Sequence, residues 1–264
     1  MARMSRPIDA WPDVLEAACA SCAHFTRVRV VRSTASTQDV AREAAVGSVI
    51  VAGRQTAGRG RQGRAWADTG DAGLAVSFTA PHAVHSWISL AAAIAAAEAS
   101  EDACMDACET APIVQLKFPN DLLVAGRKLG GVLVERTADQ TIIGIGINCS
   151  QREFPAAIAQ RATSLALQGF VVDRCDLACR LIARVDQWLH AEAERVASSF
   201  RARDSLRGRV VRFVTAAGMI EGLVVDVDPL RGIVVRTSRG DQVLPPEQTS
   251  VFVEEDRIGS VQAP

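Results

Sequence analysis

The sequence has no long hydrophobic run, no stretch with the pattern of a signal peptide and no excess of either charge. Its main apolar stretch, Ile88 to Ala99, spans 12 residues and contains Ser89, whereas a helix needs about 20 apolar residues to cross a bilayer. The basic N-terminal residues are not followed by an apolar segment. The 29 Lys and Arg residues balance 30 Asp and Glu residues, a charge balance that does not indicate a protein coated in nucleic acid. These absences predict a cytoplasmic globular protein with no membrane partner.

The cysteine pattern does not indicate a disulfide framework or a zinc site. Of the seven cysteines, Cys19 and Cys22 have CxxC spacing, but no second CxxC accompanies them and the four histidines are not at ligand spacing around them. The remaining cysteines mostly recur at helical spacing in Ala-rich segments, where a free cysteine packs as a small apolar residue. We therefore expect reduced cysteines in a helical core.

Two common nucleotide-binding motifs are also missing. The P-loop pattern GxxxxGK[ST] does not occur. The GxGxxG match that begins at Gly58 leads into a polar loop and a strand, whereas a dinucleotide-binding motif leads into a helix. Any nucleotide site must therefore be built in another way.

What is present is a basic, glycine-rich loop at residues 58–66, Gly-Arg-Gly-Arg-Gln-Gly-Arg-Ala-Trp. The glycines let backbone N–H groups approach a ligand, and Arg59, Arg61 and Arg64 supply planar donors that match phosphate or carboxylate oxygens. Trp66 offers a flat apolar face for a base ring. The loop therefore predicts an anion site, and its arginines alone would also fit a solvated loop that touches RNA.

Hydrophobic periodicity and turn residues predict an α+β chain with two domains. The predicted helices cover residues 11–22, about 40–46, 87–109 and 173–204. The predicted strands cover residues 27–31, 48–53, 73–80, 113–118, 122–124, 131–136 and 141–149, with antiparallel pairing among the last of them. Beyond Gly208, short strands at 210–214, 219–227, 233–237 and 243–244 fit a small SH3-type barrel. We expect a catalytic domain at 1–205 and an SH3-like domain at 206–264.

Two lysines on neighbouring predicted strands form a second feature with clear chemistry. Lys117 lies where its strand ends, and Lys128 begins the return strand of the next hairpin. Two such cations can neutralise a phosphate and the charge that develops when it is attacked. Asn120 and Asp121, in the turn between them, are candidate Mg²⁺ ligands, because magnesium takes one or two protein oxygens in addition to phosphates.

The strand at 141–149 has one face without side chains. Ile143, Ile145 and Ile147 share one face, whereas Gly144 and Gly146 alternate with them on the other, which ends at Asn148. Glycine inside a strand often marks the close approach of a ligand. Asn148 is therefore a candidate to hydrogen-bond a bound ring.

Six segments together resemble the biotin protein ligase family, in its order and at its usual spacings. They are Ser36-Thr37, Gln55 to Trp66, Lys117-Phe-Pro-Asn-Asp121, Arg127 to Glu135, Gly144-Ile-Gly-Ile-Asn148 and Ala162-Thr-Ser-Leu165. The resemblance covers roughly residues 30–255. It implies a class II synthetase-like biotin/lipoate ligase fold, in which a mixed, largely antiparallel sheet is flanked by helices and followed by a small SH3-like β-barrel.

The resemblance also implies a two-step reaction. Biotin attacks the α-phosphate of ATP, with Mg²⁺, to give biotinyl-5′-AMP and pyrophosphate, and a lysine of a biotin carboxyl carrier domain then attacks the adenylate. The family's biotin contacts fall on Ser36, Thr37, Gln55, Gly58, Arg59, Lys117, Gly130 and Gly131. Its ATP and adenylate contacts fall on Arg61, Arg64, Trp66, Asn120, Lys128 and Asn148. The residues expected to carry catalysis are Lys117, Arg59, Arg61 and Lys128.

The sequence departs from the family pattern at two positions and leaves alternatives open. Phe118 stands where tryptophan is common, and Gln62 where arginine is frequent. Only 35 residues precede Ser36, too few for a helix-turn-helix domain, so no DNA partner is expected. A lipoate ligase or octanoyl transferase shares the implied fold and is the main alternative. The acceptor carboxylase and the oligomeric state, monomer or homodimer, are open.

Overall fold

The computed structural model describes residues 6–67, 70–215, 218–228, 231–245 and 250–252. The helices are α1 (Trp11–Cys19), α2 (Thr37–Arg42), α3 (Ile88–Cys108), α4 (Arg174–Trp188) and α5 (Ala193–Arg203). The strands of the first part of the chain are β1 (Arg27–Thr34), β2 (Ser48–Gln55), β3 (Gly58–Arg59), β4 (Ala65–Trp66), β5 (Gly73–Pro81), β6 (Gln115–Lys117), β7 (Asp121–Val124), β8 (Arg127–Arg136) and β9 (Gln140–Asn148). Those of the last part are β10 (Val210–Thr215), β11 (Gly218–Asp228), β12 (Gly232–Thr237), β13 (Gly240–Leu244) and β14 (Ser250–Phe252).

Seven strands form one sheet in the order β1-β2-β5-β9-β8-β7-β6. β1 and β2 run parallel because α2 connects them as a crossover, and every other neighbouring pair is antiparallel. The β7–β8 hairpin turns at Ala125 and Gly126, which both have positive φ, as a tight hairpin turn requires. The prediction of a mixed, largely antiparallel sheet is confirmed.

The two faces of this sheet are covered differently. Ile143, Ile145 and Ile147 of β9 point into a core shared with α1, α3 and α4. Residues 91–97 of α3 are all buried, as expected for a helix with apolar residues on every side. On the opposite face α2 covers a smaller area around Ile50 and Ile142. The rest of that face, which includes the glycines of β9, is left for the basic hairpin β3–β4.

The prediction of one long helix over residues 173–204 is wrong, because the chain turns between α4 and α5. Glu192 is extended, with ψ 145°, and α5 begins after it. The Ala191 carbonyl accepts a hydrogen bond from Trp87 Nε1 at 3.0 Å, which ties the turn to the start of α3. This turn lets α5 pack against both α3 and β11. Local helical periodicity cannot reveal such a tertiary contact.

The last part of the chain forms a five-stranded antiparallel sheet in the order β13-β12-β11-β10-β14, an SH3-like arrangement. It follows directly after α5 through residues 204–209. Ser205 N donates to the Leu116 carbonyl at 2.9 Å, so this connection lies against β6 of the large sheet. Within the described ranges, no helix is both long and apolar enough to span a membrane.

Candidate functional site

A cavity of about 1290 Å³ lies on the α2 side of the large sheet. It is bounded by α2, the β3–β4 hairpin, the glycine-rich face of β9, the β6–β8 hairpins and residues 154–162. Most of the residues predicted for the site line it, namely Ser36, Thr37, Gln55, Arg59, Arg61, Arg64, Trp66, Lys117, Asn120, Asp121, Lys128, Gly131 and Asn148. Segments far apart in sequence therefore meet in one space.

One end of the cavity is a buried network of uncharged polar groups. Ser36 caps α2 by accepting a hydrogen bond from Gln38 N at 3.3 Å. Gln55 Oε1 accepts from Thr37 N at 2.9 Å and from Thr37 Oγ1 at 3.1 Å. Ser77 Oγ lies 2.8 Å from Thr37 Oγ1 and 2.9 Å from Gln38 Oε1. This end offers both donors and acceptors without charge, which suits a small polar ring.

The glycines of β9 make room for two side chains. A Cβ at Gly144 would lie 3.0 Å from the Gln38 amide, and a Cβ at Gly146 would lie 2.9 Å from two ring atoms of Trp66. The Trp66 indole thus lies on the bare face of the strand. Lys128 Nζ lies 5.7 Å from its ring centroid, within cation–π range. The structure therefore brings the aromatic platform next to one of the two lysines.

The basic segment forms a short hairpin rather than a plain loop, and Arg59 at its base holds it to α2. Arg59 Nη1 donates a hydrogen bond to Asp39 Oδ2 at 2.9 Å, and Arg59 Nη2 lies in ion-pair range of Asp39 Oδ1 at 2.8 Å and of Glu135 Oε2 at 3.6 Å. The hydrogen bond from Arg59 lowers the pKa of Asp39. The sequence reasoning missed these acidic partners. Arg61 and Arg64, farther along the hairpin, line the cavity.

Lys128 is fixed at both its backbone and its side chain. Its N–H donates to the Arg161 carbonyl at 2.7 Å and its carbonyl accepts from Thr163 N at 2.8 Å. Its ammonium forms an ion pair with Asp121 at 2.5 Å. Gly131 leaves space beneath it, since a Cβ there would lie 3.4 Å from Lys128 Nζ. These contacts therefore hold the Lys128 ammonium in a fixed position.

The ammonium of Lys117, by contrast, has no hydrogen bond or ion pair among the described residues. Burial lowers the pKa of Lys117, and the neighbouring Lys128, Arg209 and Arg161 lower it further, while Asp121 acts in the opposite direction. The ammonium is thus partly stripped of water and faces like charges. It would be stabilised by an anion in the cavity.

A substitution of Lys117 by methionine should stabilise the protein. Because the folded state lowers the pKa of Lys117 below 10.5, its protonation opposes folding at neutral pH, and this cost disappears as the pH rises from the folded pKa to that of the unfolded chain. We expect a gain of about 0.5–2 kcal/mol at pH 7, typical of single stabilising changes. Urea unfolding at pH 7 and pH 10 checks it: the gain should shrink at pH 10, and an equal gain at both would contradict a charge effect.

Two predicted site residues do not line the cavity. A Cβ at Gly58 would lie 2.4 Å from Gln55 Nε2 and 2.9 Å from Trp66 Cβ, so this glycine lets β3 and β4 pack closely. A Cβ at Gly130 would lie 2.6 Å from the Gly146 carbonyl oxygen, so this glycine lets β8 and β9 approach. Both glycines shape the site through backbone packing.

The two candidate asparagines are engaged in structural hydrogen bonds. Asn120 Nδ2 donates to the Val132 carbonyl at 2.6 Å. Asn148 Nδ2 donates to the Thr163 carbonyl at 2.9 Å, and its Oδ1 accepts from Gln151 at 3.3 Å. These bonds orient the walls of the cavity, and Asn148 would have to exchange partners to bind a base.

Several cavity residues were not predicted from the sequence. They are Gln38 on α2, Phe154, Pro155, Ile158 and Arg161 after β9, and Ser205, Leu206 and Arg209 before β10. The segment after β9 has no periodic pattern that could have marked it. Gln38 follows directly after the predicted Ser36-Thr37 pair, so its position at the helix start was the one available signal.

Comparison with known proteins shows that this chain is similar in sequence to one family of ligases. The profile of the Biotin/lipoate A/B protein ligase family matches residues 27–151. The biotin--[acetyl-CoA-carboxylase] ligase of Mycobacterium tuberculosis is 35% identical over 228 residues, which cover 77% of this chain and 81% of that protein. The bifunctional ligase/repressor BirA of Bacillus subtilis is 36% identical over 157 residues, which cover 53% of this chain and 46% of that protein.

A solved structure is similar over most of the chain. The biotin protein ligase from Aquifex aeolicus in complex with biotin and ATP aligns with a TM-score of 0.77 and 28% identity, over 86% of this chain and 99% of that one. The similarity therefore extends beyond the segment that the family profile matches.

Proposed function

The chain belongs to the biotin protein ligase family, and we propose that it joins biotin to ATP in this cavity and then transfers biotin to a lysine of a carrier domain. The observation that carries the proposal is the arrangement of the cavity. An uncharged polar network closes one end, two lysines lie at another part of the wall, and an arginine-rich hairpin with a tryptophan adjoins both. Such a cavity fits a polar ring attached to a carboxylate and a nucleotide phosphate.

The uncharged end suits the ureido ring of biotin. Thr37, Gln55 and Ser36 present hydroxyl and amide groups there, and Ser77 connects Thr37 to Gln38. A cyclic urea has one carbonyl acceptor and two N–H donors, which this mixed set can match. Lipoate lacks those groups, so it would give the polar groups at this end no hydrogen bonds beyond those that they make with one another. The polar network therefore favours biotin over lipoate.

The cationic part of the cavity suits the reacting groups. In the first step a carboxylate oxygen of biotin attacks the α-phosphorus of ATP, a new O–P bond forms, and the bond to the β-phosphate breaks. Both reactants are anionic, so their approach needs fixed positive charge. We assign this charge to Lys117 and Lys128, assisted by Arg61 and, once released from Asp39, by Arg59.

In the second step the amine of a carrier lysine attacks the carbonyl carbon of the adenylate. A C–N bond forms, AMP leaves, and the amine loses a proton. We assign the adenine to the stack on Trp66, beside Asn148, and the nearby hairpin charge to Arg64. The acceptor is proposed to be a biotin carboxyl carrier domain. ATP is a cytoplasmic metabolite, which supports a cytoplasmic location.

Mg²⁺ is proposed to enter with ATP. Among the described residues, no group of three histidine, cysteine or acidic side chains is arranged to hold a metal ion by itself. Asp121 is a carboxylate on the cavity wall and Asn120 adds an amide, which fits a metal that takes few protein ligands and is otherwise bound by phosphates and water. When bound, the metal would neutralise phosphate charge.

A direct experiment tests this function. The protein is incubated with ATP, Mg²⁺, biotin and a carrier domain, and the carrier is analysed by mass spectrometry. We expect one biotin-sized adduct on one lysine, with ATP and biotin both required. An adduct formed with lipoate in place of biotin would overturn the substrate assignment, and no adduct with either would overturn the activity.

We also predict that the hairpin closes over the adenylate. Apart from Trp66 it has little apolar surface, and its base depends on the exposed Arg59–Asp39 pair. Trypsin should therefore cut the free protein after Arg61 or Arg64, and biotin with ATP should slow this cleavage by about tenfold or more. Asp39→Asn should speed cleavage of the free protein. Cleavage that substrates do not slow would contradict closure.

A further inference from the structure

The cavity carries more positive charge than the proposed roles use. Its lining includes seven Lys and Arg side chains and one carboxylate, Asp121, which Lys128 already engages. Five of the seven have proposed roles, whereas Arg161 and Arg209 have none. A site with this charge balance is suited to a ligand with several negative charges, more than a carboxylate and one phosphate supply.

The segment of residues 205–209, which ends at Arg209, contacts both parts of the chain. Ser205 N donates to the carbonyl of Leu116, the residue before Lys117, and Arg209 N donates to the Leu206 carbonyl at 3.0 Å. On the other side, the Arg209 carbonyl accepts from Val224 N of β11 at 2.9 Å. The backbone of Arg209 is therefore fixed relative to the strand that carries Lys117.

The side chain of Arg209 is exposed and available. It lines the cavity, and within the described part of the chain its guanidinium has no hydrogen bond or ion pair. Three other arginines in this part of the chain are paired: Arg201 with Asp226, Arg212 with Glu221 and Arg236 with Asp241. Arg209 is close enough to Lys117 to lower the pKa of its ammonium by charge repulsion.

We infer that Arg209, which the SH3-like part of the chain contributes, binds the β- and γ-phosphates of ATP and the pyrophosphate that leaves. The inference rests on the proposed function and deepens it. Lys117 is half-buried, while Arg209 is exposed at the same cavity, so a triphosphate with its α-phosphate at Lys117 would extend outward to Arg209. Pyrophosphate, once formed, would then leave from the exposed side.

The test compares Arg209→Gln with Arg207→Gln, a neighbouring exposed arginine that does not line the cavity. The first half-reaction is measured as biotin-dependent pyrophosphate release, and binding of inorganic pyrophosphate is measured directly by calorimetry. For Arg209→Gln we expect the KM for ATP to rise, and pyrophosphate binding to weaken, by about tenfold or more, as for the loss of a charge-assisted hydrogen bond. The KM for biotin should stay the same in Arg209→Gln. In Arg207→Gln, the KM for ATP and the affinity for pyrophosphate should both stay the same.

The second half-reaction separates this role from a structural one. Biotinyl-5′-AMP prepared chemically has no β- or γ-phosphate, so its transfer to a carrier domain should be unchanged in Arg209→Gln, and Arg209→Lys should recover part of the ATP affinity. An unchanged KM for ATP, or equal losses in both half-reactions, would overturn the inference. If the wild-type protein released no pyrophosphate with biotin, the proposed function itself would fail, which is a distinct result.

Discussion

Replacement of Lys117 by glutamine is expected to lower the rate of biotin-dependent pyrophosphate release by about 10²–10³-fold, as for the loss of one preorganised donor at a reacting centre. The structure gives the reason. Lys117 is partly buried and faces like charges, and its ammonium has no hydrogen bond or ion pair among the described residues. Its charge is therefore available to the two anions that must approach each other in the first step.

The measurement is single-turnover pyrophosphate release at saturating ATP and biotin. Arg127→Gln is the matched control, since Arg127 is a cation on the adjacent hairpin that does not line the cavity. It should keep nearly full activity. If both variants lost activity equally, the activity would depend on the total positive charge near the site and not on the position of the Lys117 ammonium. A Lys117→Gln variant with a raised KM and an unchanged maximal rate would indicate ground-state binding alone.

The charge of Lys117 also lowers the folding stability of the ligand-free protein. Burial lowers the pKa of Lys117 and leaves its charge poorly solvated until an anion binds. For the same reason, we expect Lys117→Met to be more stable than the wild-type protein. Lys128 differs, because Asp121 compensates its charge in the free protein. The two lysines that look equivalent in the sequence therefore have different roles: one is held in place, and the other is available.

The elements that the sequence predicted well were those with local signals. The glycine face of β9 and the antiparallel pairing of β6 to β9 each follow from residue type and spacing. The positions of Arg59 and Asn148 could not be predicted in the same way. Their partners, Asp39 and Thr163, are brought to them by the fold, and no pattern along the chain links them.

Contacts between distant segments explain the remaining misses. The turn at Glu192 depends on Trp87, more than a hundred residues earlier. Arg209 belongs to the SH3-like part of the chain by sequence, and it reaches the cavity because Asp204 and Ser205 lie against β6. The boundary between the two predicted domains, at residues 205 and 206, remains a prediction. If Arg209 acts as inferred, neither side of that boundary holds the complete site.

Gly146→Ala is expected to raise the KM for ATP about 5- to 150-fold while leaving the KM for biotin nearly unchanged. The added Cβ would lie 2.9 Å from two ring atoms of Trp66, so the indole must move off the strand. Loss of a base–aromatic stack costs about 1–3 kcal/mol, which corresponds to that range. Biotin is spared because its proposed ring site lies at Thr37 and Gln55.

A double-variant cycle shows whether the effect of Gly146→Ala passes through the indole. Trp66→Ala alone removes the stack, and the new methyl group then has no indole to displace. The double variant should therefore bind ATP no worse than Trp66→Ala, since residues that act through one contact are not additive. Losses that add in full would mean that the methyl group blocks the nucleotide directly. The bare face of β9 would then contact the base itself, and Trp66 would need a separate role.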